Sequence, residues 1–131
     1  MHRYQVTIHE GHLDTFGHVN NAKYLELYEQ ARWDLITNNG YGLDQIKSLK
    51  IGPVVLELDL TFKREITNRE VITIESEPQK IEHPLIMEIK QRMLKADGSL
   101  ASQICLKVGL MDLEKRKLIP PTAEWMKAIE C

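Results

Sequence analysis

Hydrophobic positions along this chain follow two different periods. Tyr4, Val6 and Ile8 alternate with Arg3, Gln5 and Thr7, the pattern of a half-buried strand. Beyond residue 20 the period lengthens. Tyr24, Leu27, Tyr28, Ala31 and Leu35 recur at steps of three and four, which makes one apolar face of a helix. Asn20 or Asn21 can cap its start and Asn38-Asn39-Gly40 can end it, so the spacing predicts a helix over 21–38. From Pro53 the period drops back to two. Leu56, Leu58, Leu60 and Phe62 face one way, and Glu57, Asp59, Thr61 and Lys63 the other.

Three further strands follow. A turn at "ITNRE" leads into "VITIESEPQKI", where Ile72 and Ile74 alternate with polar neighbours, and then into "LIMEIKQRML", with Met87 and Ile89 opposing Glu88 and Lys90. Ala96-Asp97-Gly98-Ser99 reads as a tight hairpin, because Asp-Gly tolerates positive φ. The last strand carries Ile104, Leu106, Val108 and Leu110 on one face, and after Pro120 and Pro121 a short helix is expected with Thr122 as its cap. Short turns join the later strands, which should therefore pair antiparallel.

The expected fold is α+β, a five-stranded antiparallel sheet wrapped around one long helix, with residues 1–131 forming a single domain. Such an open sheet leaves two edges, and pairing an edge with a second copy is a common remedy, so a homo-oligomer is expected.

Composition narrows the function. The 131 residues are 43% hydrophobic and 27% charged, ordinary for a globular chain, and a net charge of −2 gives no reason to expect nucleic acid. No apolar run is long enough to span a membrane, and the N-terminus alternates like a strand instead of carrying a signal core, so a cytoplasmic location is expected. Cys105 and Cys131 read as reduced bystanders. The histidines at 2, 9, 12, 18 and 83 lack zinc-site spacing, so no metal is expected.

Candidate chemistry gathers in "HLDTFGHVNN", His12 to Asn21, where the chain leaves the first strand and enters the helix. The first amides of a helix lack intrahelical partners and sit at the positive end of its dipole. They can hold an anion or stabilise an oxyanion forming on a carbonyl. Gly17 permits a turn that a side chain would obstruct. Asp14 then places a carboxylate ahead of those donors, a combination suited to acyl transfer. The same residues also make ordinary turns and caps, and from the residues alone both readings stand. His18 is a possible catalytic partner or a structural histidine, and Tyr24 and Tyr28 fit the apolar helix face.

Over Asp14 to Ile36, "DTFGHVNNAKYLELYEQARWDLI", the chain resembles the acyl-CoA thioesterase family of 4-hydroxybenzoyl-CoA thioesterase type. More narrowly, it looks like the subgroup carrying D-x-x-G-H-V-N-N-x-x-Y. The resemblance implies the hot-dog fold and hydrolysis of acyl-CoA, fatty acyl-CoA foremost, to free acid and CoA. It implies Asp14 as nucleophile or general base and the Asn21 amide as the group that polarises the thioester carbonyl. Gly17, His18, Asn20 and Tyr24 would shape the loop and contact substrate. No cofactor is implied beyond the coenzyme A of the substrate. A homodimer or homotetramer would hold the site at a subunit interface, with backbone groups near Gly52 to Val54 lent by the neighbour.

The chain departs from many relatives in two places. "KREITNRE" stands where they carry a proline-containing turn, and around "KIEHPL" Glu82 and His83 replace basic residues that hold nucleotide phosphates. Lys63, Arg64 and Arg69 could do that work from a nearby turn, and a solvated charged turn is the commoner reading of the same residues. Three other functions compete with an acyl-CoA thioesterase: a non-catalytic acyl-CoA binding module, a thioesterase acting on acyl carrier protein, and a hydratase. The last needs an Asp and His at a different spacing. Bulky Tyr28, Trp33 and Tyr41 are candidates to cap an acyl pocket, and core packing explains them equally well.

Overall fold

A computed structural model describes residues 1–130; Cys131, and the reading made of it, lie outside the described residues. Strand β1 (His2–Thr7) passes through a single 3-10 turn at Glu10–His12 and a short loop into α1 (Asn21–Asn38). A short helix α2 (Leu43–Leu49) then leads to β2 (Ile51–Phe62), β3 (Val71–Gln79), β4 (Ile86–Leu94), β5 (Leu100–Asp112), β6 (Lys117–Ile119) and α3 (Ala123–Ala128). All pairings are antiparallel, in the order β1-β3-β4-β5-β2, with β6 added beside the end of β5.

α1 occupies the predicted residues and buries the predicted face. Tyr24, Leu27, Tyr28, Ala31 and Leu35, joined by Ile36, are at most 5% exposed. They pack on Ile72 and Ile74 of β3, Ile89 and Met93 of β4, and Ile104, Leu106 and Val108 of β5 within one hydrophobic core. Tyr28 is tolerated there because its hydroxyl donates to Ser102 Oγ at 2.9 Å. Tyr41 is likewise core, against Trp125, and only Trp33 of the three proposed pocket caps stays 38% exposed.

Two elements were not predicted, because both are short. α2 has only Leu43, Ile46 and Leu49 at helical spacing and no side-chain cap, and β6 is three residues long. The sheet therefore has six strands, five long and one short.

The larger departure is in β2. Leu58, Leu60 and Phe62 do face the same side as their buried β5 partners Leu106, Ile104 and Ser102. A bulge at Leu56 then interrupts the alternation between Val55 and Glu57. Among the described residues no helix lies over this half of the strand, and Val55, Leu56, Leu58 and Phe62 are 42–51% exposed. β2 is also a sheet edge.

Candidate functional site

The loop between the 3-10 turn and α1 folds back on itself before the helix begins. Leu13 and Val19 form a bridge, the Asp14 amide donates to the His18 carbonyl at 2.9 Å, and the Gly17 amide donates to the Asp14 carbonyl at 3.3 Å. Gly17 closes the turn at φ +88°, a conformation that is costly for a residue with a side chain. Two contacts fasten the loop to the β2–β3 turn: a bridge between His18 and Thr67, and the Val19 amide on the Ile66 carbonyl at 2.8 Å.

The Asp14 carboxylate is held by this loop. Its Oδ1 accepts from the Phe16 amide at 2.8 Å and, more weakly, from the His18 amide at 3.4 Å. Its Oδ2 lies 3.2 Å from His18 Nδ1, which is also 3.4 Å from the Val19 carbonyl oxygen. Both neighbours of that nitrogen are acceptors, so Nδ1 is assigned the hydrogen; it is donated to the Val19 carbonyl, with Asp14 Oδ2 at ion-pair distance beside it. The Asp14 side chain is 18% exposed, reachable but not free to swing.

Helix entry follows directly. Asn20 Oδ1 accepts from the Ala22 amide at 2.9 Å, and the Asn20 amide donates to the His12 carbonyl at 2.9 Å. Lys23 donates back to the Asn20 carbonyl at 2.9 Å. The Asn21 amide has no such partner among the described residues. An 18-residue helix thus begins with one backbone donor unspent at the positive end of its dipole. His12 has a scaffolding part here. Besides its carbonyl, its Nδ1 accepts from the His9 amide at 3.1 Å, and burial lowers its pKa, helped by nearby His9 and Lys23.

Asp14, His18, Asn20, Asn21 and Tyr24 line one open cleft of about 670 Å³. Gly17 shapes the loop but does not line the cleft. The remaining wall comes from the end of β2 and the turn after it. Phe62 packs edge-on against Tyr24 with ring centroids 4.9 Å apart, and Lys63 and Arg64 follow it. Neither cation forms an ion pair among the described residues, whereas Arg69 is engaged with Glu10 at 2.7 Å. Burial raises the Tyr24 pKa, with the charges of Glu70, Glu65 and Asp14 adding to it, so the phenol keeps its proton. Phe16, 84% exposed and stacked on His18, belongs to the cleft and was missed in the sequence, as was Phe62. An exposed Phe inside a polar motif was the available signal for the first. The second joins the cleft only through the curl of the sheet.

An antiparallel sheet curled over one long helix is the hot-dog fold of thioester hydrolases. The chain belongs to the Thioesterase-like superfamily, whose family model matches residues 6–129. It is similar to the long-chain acyl-CoA thioesterase FadM of Escherichia coli strain K12, at 26% identity over 126 residues, 96% of this chain and 95% of that one. Among solved structures, Escherichia coli YbaW is 25% identical with a TM-score of 0.86, over 99% of this chain and 97% of that one. The Staphylococcus aureus protein SAV2348, solved in complex with CoA, shares the fold at 17% identity with a TM-score of 0.89, over 98% of this chain and 80% of that one.

Proposed function

We propose that this protein is an acyl-CoA thioesterase of the D-x-x-G-H-V-N-N-x-x-Y subgroup, with fatty acyl-CoA as its substrate class and Asp14 as its reacting carboxylate. The observation that carries this reading is that Asp14 and the unspent Asn21 amide line the same cleft. In it, the thioester carbonyl oxygen accepts from the Asn21 amide, and negative charge developing there is met by the helix dipole. Asp14 either attacks the carbonyl carbon, expelling CoA thiolate and leaving a mixed anhydride for water to open, or takes a proton from the attacking water. The Phe16 amide fixes Oδ1, and the His18 ring stands 3.2 Å from Oδ2 in either role. Tyr24 and Phe62 form the apolar wall beside the thioester, and Lys63 and Arg64 are the mobile cations available to the CoA phosphates.

Recognition of coenzyme A over an acyl carrier protein is supported by the SAV2348–CoA likeness and by those two unpaired cations. Assembly through the free β2 edge supplies the cover that Val55, Leu56 and Leu58 lack, and makes a homodimer the minimal unit. Full-length antiparallel pairing sets Ile51 of one copy opposite Phe62 of the other. That brings the Gly52–Val54 backbone of the partner subunit to the cleft.

Thiol release measured over a ladder of acyl-CoA chain lengths tests the reaction. Asp14→Ala should lower kcat at least about 10²–10⁴-fold while leaving the melting temperature nearly unchanged. Full activity in that variant would remove Asp14 from the chemistry. A single turnover in ¹⁸O water with excess enzyme separates the two routes. Direct water attack labels the acid product, whereas an anhydride opened at the Asp14 carbon leaves the label on Asp14. Binding without thiol release at every chain length would favour a non-catalytic module instead.

A further inference from the structure

A second recess opens along the other half of α1. It is a slot of about 180 Å³ between the stretch 29–36 of the helix and the start of β2. Its walls are apolar, formed by Ile36, Val54, Val108 and Trp125 among others, with Trp33 half-exposed. Arg32 is the exception. Its Nη1 donates to Gln91 Oε1 at 3.0 Å, and no carboxylate stands within ion-pair distance of it among the described residues. Glu29 also lines the slot, one turn back on α1; it is exposed, and its charge acts on Arg32 from beyond ion-pair distance. Arg3 and Arg92, by comparison, both engage Glu75, at 3.1 and 2.8 Å.

The guanidinium is not loose. Gln91 is fully buried, and its Nε2 donates to the Tyr28 carbonyl at 3.1 Å and to Ser76 Oγ at 2.9 Å, so its Oε1 is a fixed anchor. An arginine held this way keeps most of its five N–H donors for something else. An acyl chain ending in a methyl group would strip water from that cation and return nothing, which is unfavourable. A carboxylate would accept two parallel N–H bonds in the geometry a guanidinium offers.

We propose that the slot receives an acyl chain bearing a carboxylate at its far end, and that Arg32 selects for it. The proposal rests on the acyl-CoA reading above and names a substrate subclass within it, the ω-carboxyacyl thioesters. In the β2-edge dimer, Pro53 to Val55 of the partner subunit lie beside the Phe62 end of the cleft. A chain leaving Asp14 past Phe62 therefore meets the partner's slot.

Occupancy has a readout apart from turnover, because the chain has two tryptophans and both Trp33 and Trp125 line the slot. Intrinsic fluorescence of the full chain, titrated with octanoate, should show saturable binding. Arg32→Met should weaken it about tenfold or more, and Arg32→Lys less. Octan-1-ol, which has no charge, should bind Arg32→Met at least as well as wild type. In turnover, kcat/KM for suberyl-CoA should exceed that for octanoyl-CoA in the wild type, and Arg32→Met should reverse the order. Octanoate binding that is absent, or equal in wild type and Arg32→Met, overturns the proposal. So does a wild-type preference for octanoyl-CoA, which needs no variant to fold. If neither CoA ester is hydrolysed, the thioesterase reading fails, and the octanoate titration still decides whether Arg32 binds a carboxylate.

Discussion

α1 and β2 are both two-faced elements, yet only one of them is covered. The apolar stripe of α1 meets three strands and vanishes from the surface, whereas β2 keeps Val55, Leu56, Leu58 and Phe62 42–51% exposed. The contrast shows what periodicity does and does not encode. It identifies which face of an element is apolar, but the partner for that face can lie in the same chain or in another. For α1 the partner is the sheet. For Val55, Leu56, Leu58 and Phe62 of β2, a 12-residue edge strand, the described residues leave that face 42–51% exposed.

The sharpest test of the contrast is a core truncation on the covered element. Leu27, fully buried on α1, touches the sheet it was predicted to meet, and Leu27→Ala should cost about 2–5 kcal/mol. Urea unfolding of the variant measures it. A cost under about 0.5 kcal/mol would mean that α1 is not packed as described.

Leu58→Lys makes the opposite prediction on the uncovered element. Because Leu58 is 42% exposed in the isolated chain, the change should alter monomer stability by no more than about 0.5 kcal/mol. It should instead convert a dimer into a monomer in analytical ultracentrifugation, since a charged edge resists pairing. An unchanged sedimentation coefficient in the variant would move the subunit contact elsewhere.

The same contrast explains how far the sequence could be read. α1 was legible to the residue because its stripe, its Asn20 cap and its Asn38-Asn39-Gly40 exit agree with one another. The hairpin at Asp97-Gly98 was legible for the same reason, with Gly98 at φ +86°. Half of the cleft was visible too, since Asp14, His18, Asn20, Asn21 and Tyr24 are close in sequence. The other half was not. Phe62, Lys63 and Arg64 reach Tyr24 only after β2 pairs with β5, a contact between residues some 40 positions apart in the chain. Arg32 was hidden for a similar reason. Nothing near it in sequence reveals that its guanidinium donates to Gln91, 59 residues away.

The smallest effect lies at the entry to α1, where burial reaches a titratable group. On β2 the charges are solvated: Glu57 pairs with Lys107 at 3.2 Å, but the two side chains are 68% and 48% exposed, so the pair adds little to stability. His12 differs, being 9% exposed with its carbonyl under the Asn20 cap. Burial lowers its pKa first, His9 and Lys23 act in the same direction, and Glu26 opposes them. The folded chain therefore holds fewer protons on His12 than the unfolded chain does, and stability is lost as pH falls through the ordinary histidine range, about 6.5. Asn at position 12 can still offer an oxygen to the His9 amide, but it cannot titrate. The melting temperature of the wild type should thus drop more steeply between pH 7.5 and 5.5 than that of His12→Asn, whatever their difference at pH 7.5. The other four histidines are common to both chains, so the difference in slope reports on His12, and parallel curves would show that the covered end of the molecule is as indifferent to protons as the exposed one.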